Sequence, residues 1–137
     1  MAGWLRAVLF GSGGVLTRPG AERELYPEVL PTLRELRRRG GRMAVVADGT
    51  VPDLPSSHAE LGIDGFFEAY AVRREQASGA LELRPEQCLF VDRDPERVAV
   101  AVERGYAGRV LCRDGTGVPP DAKVLSVGEL TELLALF

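Results

Sequence analysis

The feature that most constrains this chain is the order of its apolar runs. Residues 5–10, 43–47, 87–91 and 109–112 are apolar stretches of strand length, and 66–72 and 124–126 are weaker ones. Helical spacing fills the gaps. Over residues 28–39, Val29, Leu30, Leu33 and Leu36 recur on one face, and over 95–103 a helix opens with Pro95 in its first turn. Shorter helices are predicted over 56–61, capped by Ser56 or Ser57, and over 75–83, with an amphipathic helix over 129–136. Gly40, Gly62 and Gly105 act as stop signals. Residues 18–23 are polar and hold Pro19 and Gly20, so they read as a loop. Strands alternating with helices predict an α/β fold: a three-layer, doubly wound, Rossmann-like parallel sheet with helices on both faces. With 137 residues, 45% of them hydrophobic, and no internal repeat or linker, residues 1–137 suit one domain.

Charge and composition exclude several roles. The net charge of −3 and pI of about 5.3 disfavour a nucleic-acid surface. No apolar run approaches the roughly 20 residues of a membrane helix, and residues 1–10 show no cleavage signature, so a cytoplasmic location is expected. Cys88 and Cys112 lie in apolar runs and read as inert core residues of a reducing compartment. His58, the only histidine, has no partner at a telling spacing and reads as solvated or capping. Arg37, Arg38 and Arg39 fall in a last helical turn, where cations complement the helix dipole.

Ligands of a doubly wound sheet bind beyond the carboxyl ends of its strands. The residues to inspect are therefore 11–14, 47–49, 72–76 and 92–94. Gly11-Ser12-Gly13-Gly14 has the look of a phosphate cradle whose N–H groups can hold an anion. It lacks the lysine of a P-loop and the spacing of a dinucleotide fingerprint. Asp92 and Asp94 read as caps of the helix beginning at Pro95, with Arg93 paired to one of them or to Asp48.

The segments AVLFGSGGVLT (7–17), YPEVLPTLRELRRRGGRMAVVADG (26–49) and RPEQCLFVDRDPERVAVAVERGYAG (84–108) resemble the motif regions of the haloacid dehalogenase superfamily of phosphatases and related hydrolases. The resemblance covers almost the whole chain and departs from the family at its functional positions. It implies an aspartate nucleophile and an aspartate acid/base where this chain has Gly11 and Gly13, and glycine offers neither nucleophile nor proton. It implies a serine or threonine at Ala47, followed here by Asp48 and Gly49, and a third-motif lysine. The only lysine is Lys123, and Arg73 or Arg74 are the cations near the third-motif region. The fourth motif implies Mg²⁺-holding carboxylates. Asp92 matches the first, Arg93 stands where the main ligand belongs and places a cation in the metal position, and Asp94 follows.

Loss at all four motifs at once implies a catalytically degenerate member without a cofactor, and the short stretches after the first motif and at the second insertion point, too short for an inserted cap domain, imply a capless one. Its pocket would be Gly11, Ser12, Gly13, Gly14, Ala47, Asp48, Gly49, Asp92, Arg93 and Asp94, serving a small anionic ligand, a protein partner or assembly into a homo-oligomer. The alternative is a divergent phosphatase or other hydrolase that uses Asp48, Asp92 or Asp94 with Mg²⁺; there Asp92 and Asp94 are the metal ligands.

Overall fold

The computed structural model describes residues 5–11, 14–18, 21–47, 53–113 and 125–137. Their centre is a six-stranded parallel sheet built from β1 (Ala7–Gly11), β4 (Arg42–Val46), β5 (Tyr70–Ala71), β6 (Cys88–Asp92), β7 (Ala107–Leu111) and β8 (Leu125–Val127). The spatial order is β5-β4-β1-β6-β7-β8. The chain therefore starts in the middle, moves outward through β4 and β5, and crosses back over β1 to lay down β6, β7 and β8.

Alternation along the central strands explains why both faces are covered. Val8, Phe10, Met43, Val45, Leu89 and Val91 point to one side. There they meet Val29, Leu33 and Leu36 of α1 (Val29–Arg38), Leu54 of α2 (Leu54–Glu60), and Leu130 and Leu133 of a C-terminal 3₁₀ helix (Leu130–Leu136). Ala7, Leu9, Ala44, Val46, Cys88 and Phe90 point the other way, onto Ala77 of α3 (Arg74–Ala80) and Val98 and Ala101 of α4 (Pro95–Glu103). The predicted doubly wound α/β class is the observed one. Both cysteines are buried and neither is in a disulfide, and burial pushes the Cys88 thiol up to about 11, which suppresses its thiolate.

Four local expectations change. Residues 18–23 are not a plain loop: β2 (Thr17–Arg18) pairs antiparallel with β3 (Ala21–Leu25), Thr17 opposite Leu25. Polar residues disguise a ribbon that lies outside the main sheet. The cap of α2 is Asp53, not Ser56 or Ser57. Its carboxylate accepts from the Ser56 N–H at 3.3 Å and from the Ser56 hydroxyl at 2.8 Å. The final helical period winds as 3₁₀ rather than α. His58 is neither solvated nor capping: it is 4% exposed, shares a 2.7 Å hydrogen bond between Nδ1 and the Tyr70 hydroxyl, and packs on the rings of Phe67 and Tyr70. Its neighbours in sequence are polar, but α2 buries this position on the same face as Leu54. Among the described residues no helix is long and apolar enough to cross a membrane.

Candidate functional site

The sheet order reverses at β1, whose neighbours β4 and β6 lead away in opposite directions. Gly11 ends β1 in register with Val46 of β4, and Phe10 is in register with Val91 of β6, which brings Asp92 level with Gly11. Gly11, Ala47 and Asp92 thus converge, and Gly14 and Arg93 join them. Ser12, Gly13, Asp48 and Gly49 lie outside the described residues.

Asp92 is the chemical centre of what is described. Strand alternation turns it to the side of Cys88 and Phe90, toward α3 and α4. It is 4% exposed. Its Oδ1 accepts a 3.1 Å hydrogen bond from the Asp94 N–H, while Oδ2 is buried with no hydrogen-bond partner. Burial raises the Asp92 carboxyl above the usual carboxylate range, against the opposing pull of the Asp94 N–H and of Arg97.

The carboxylate also occupies the space that a side chain at position 11 would need. A Cβ built on Gly11 would lie 2.7 Å from Asp92 Cγ and 3.2 Å from Asp92 Cβ, inside the 3.5–4.0 Å at which carbon atoms pack. Glycine and the inward carboxylate fit each other. Gly14 is covered in the same manner. Its φ is +81°, and a Cβ there would lie 3.0 Å from the Arg93 guanidinium carbon.

The expected pairing of Arg93 with Asp92 or Asp94 needs correction, while its alternative, with Asp48, lies outside the described residues. Arg93 is exposed, lies on Gly14, and forms no ion pair with any described residue. The cation facing Asp92 is Arg97, with Nε 3.6 Å from Oδ2, brought back by the first turn of α4. Asp94 does cap α4, its carboxylate accepting from the Glu96 N–H at 3.0 Å. Asp92 holds the N–H of Asp94 instead of capping the helix itself. Of the two arginines near the third-motif region, Arg73 is exposed, whereas the Arg74 guanidinium turns inward, 5.2 Å from the Phe90 ring centroid. Its Nε is buried without a partner.

A contact set that the sequence did not betray fixes the loop above the site. Arg113, just past β7, donates to the carbonyls of Gly14 at 2.9 Å and Val15 at 2.6 Å. It pairs with Glu28 at 2.8 Å and lies 3.4 Å from the Tyr26 ring centroid. Glu28 also accepts from the Leu130 N–H at 3.3 Å. One guanidinium thus joins the loop after β1, the start of α1 and the C-terminal helix.

The described site offers an enclosed carboxylate, an exposed guanidinium, and no nucleophilic side chain at the end of β1. Among the described residues, no three His, Cys, Asp or Glu side chains come together as a metal site.

No family model matches the chain. Two curated relatives do: an enolase-phosphatase E1 of Picosynechococcus, 29% identical over 123 residues, covering 80% of this chain and 54% of the relative; and a haloacetate dehalogenase H-2 of Moraxella, 27% identical over 143 residues, covering 92% and 64%. The chain therefore spans between half and two thirds of the length of these relatives. Among solved structures, the L-2-haloacid dehalogenase of Xanthobacter autotrophicus with chloropropionic acid covalently bound superposes with a TM-score of 0.73 at 16% identity, covering 96% of this chain and 98% of the other. At that identity the likeness is one of fold.

Proposed function

Taking as premise that this chain belongs to the haloacid dehalogenase-like hydrolase superfamily, we propose that it is a member without phosphohydrolase activity, a single capless domain that binds rather than turns over. The observation that carries this reading is the fit of Asp92 against Gly11. Glycine at 11 supplies no attacking atom, and the place where such a side chain would begin is filled by a neighbouring carboxylate. A missing nucleophile beside an open cavity would be a gap to be filled by a substrate group. Here the gap is closed from within. The remaining polar surface, Arg93 over Gly14 and the backbone beside it, suits a small anion, a protein partner or a second copy of the chain in the cytoplasm, and neither nucleic acid nor membrane.

The family's Mg²⁺ does not fit the described residues. Mg²⁺ takes a compact octahedral shell of oxygens with one or two carboxylates and retained waters. Asp92 offers one buried oxygen that already faces Arg97, and Asp94 is engaged as a helix cap. No step is therefore derived through a metal.

The test is turnover. Purified protein with a panel of generic phosphate esters, with and without Mg²⁺, should show hydrolysis at the level of a buffer blank. Turnover that persists through repeated purification and disappears in Asp92→Asn would establish the divergent-hydrolase alternative instead.

A further inference from the structure

We propose that Arg97 is a tethered replacement for a divalent cation at this site, its guanidinium answering the Asp92 carboxylate and keeping the site metal-free. The inference rests on the non-catalytic reading above and assigns the charge balance of the same site.

Three observations converge on it. Asp92 is buried at the end of β6, where a carboxylate needs a counter-charge or hydrogen-bond donors. One oxygen, Oδ1, is met by the Asp94 N–H. The other has no hydrogen-bond partner, and the cation beside it among the described residues is the Arg97 guanidinium, at 3.6 Å. A metal ion on Oδ2 would sit about 2.1 Å from it, in the space between carboxylate and guanidinium, and would meet a second positive charge at once.

The chemistry of arginine makes the replacement permanent. A guanidinium stays charged at any working pH and cannot be removed by a chelator. Its planar fork is also larger and more weakly hydrated than Mg²⁺, so a half-buried position suits it better. The route is local. Pro95 opens α4 and Asp94 caps it, so the first helical turn returns position 97 toward the strand end that position 92 terminates. Arg93, which the order of residues places in the metal position, instead leaves to cover Gly14.

The experiment is Mn²⁺ binding to the full chain, read by the relaxation of water protons, for wild type, Arg97→Lys, Arg97→Gln and Arg97→Met. Wild type and Arg97→Lys should show no binding at low millimolar Mn²⁺. The two neutral variants should bind about tenfold or more tightly than wild type, because a like charge beside the ion has gone. Adding Asp92→Asn to Arg97→Gln should return binding to the wild-type level. Wild-type binding at low millimolar Mn²⁺, equal binding by the lysine and glutamine variants, or no gain in either neutral variant would overturn the proposal. Metal binding by wild type without ester hydrolysis would overturn the Arg97 assignment alone. Hydrolysis without metal binding would leave that assignment standing and overturn the non-catalytic reading.

Discussion

Arg113→Ala is expected to lower the unfolding free energy by about 3 kcal/mol, the scale of breaking an enclosed ion pair by removing one partner. Arg113 and Glu28 keep only 16% and 15% of their side-chain surface exposed, so water replaces the lost guanidinium poorly. The loss has several parts. Among the described residues Glu28 keeps the Leu130 N–H as its side-chain donor, the carbonyls of Gly14 and Val15 lose a charged donor each, and the Tyr26 ring loses the cation on its face. Urea unfolding should show a lower midpoint with an unchanged slope. Glu28→Gln should cushion the effect, so that Arg113→Ala costs less in that background. A cost below about 1 kcal/mol, the range of an exposed surface pair, would show that the contact is ornamental. Amide exchange at Val15 and Leu16 should quicken in Arg113→Ala, since those residues belong to the loop that the guanidinium holds.

The second large effect is a loss of stability on acidification that traces to His58. Burial lowers its pKa from the ordinary value of 6.5 to about 4, and this outweighs the attraction of Asp64. The folded state thus binds the proton less readily than the unfolded chain. The stability associated with neutral His58 is fully present above pH 6.5 and is lost as pH falls from 6.5 toward 4. Integrated over that window, the loss is about 3 kcal/mol. Asp92 acts in the opposite sense: its raised pKa favours the folded state as pH falls through that value. His58→Gln keeps a hydrogen-bonding group near Tyr70 and removes the titration. Between pH 6.5 and 4 it should lose less stability than the wild type by about 3 kcal/mol, whereas equal slopes for both proteins would assign the effect elsewhere.

The layers of the fold were legible because strand length, helical period and glycine stops all agree in this chain. The helix over 95–103 could be read to the residue from Pro95 and Gly105. The hairpin of β2 and β3 was not, since its pairing depends on a partner rather than on a hydrophobic face. His58 was misread as well. Its nearest neighbours Ser56, Ser57 and Glu60 are polar, and the i, i+4 spacing from Leu54, the other buried residue of α2, was the one signal that it faces inward.

At the site, the glycines at the end of β1 were visible at once, and so was the meeting of Gly11, Ala47 and Asp92 implied by strand order. What the sequence could not convey was direction. Arg93 and Arg97 are both near Asp92 along the chain, and only the geometry of the α4 start decides that Arg97 turns inward and Arg93 turns toward Gly14. Arg113 lies 99 residues beyond Gly14, and no local pattern announces such a contact.

Position 11 is closed to a side chain because Asp92 fills the space. A double-mutant cycle in unfolding free energy tests it: wild type, Gly11→Ala, Asp92→Ala and the double variant. Gly11→Ala should cost about 1–3 kcal/mol in the wild-type background, the range for forcing extra volume into a packed position. In the Asp92→Ala background the same substitution should be neutral or stabilising by up to about 1 kcal/mol, since alanine stiffens the unfolded chain where the backbone allows it. A coupling of at least about 1 kcal/mol between the two positions is the predicted result. Equal costs in both backgrounds would mean that Asp92 does not close the site, and that position 11 remains open to a substrate.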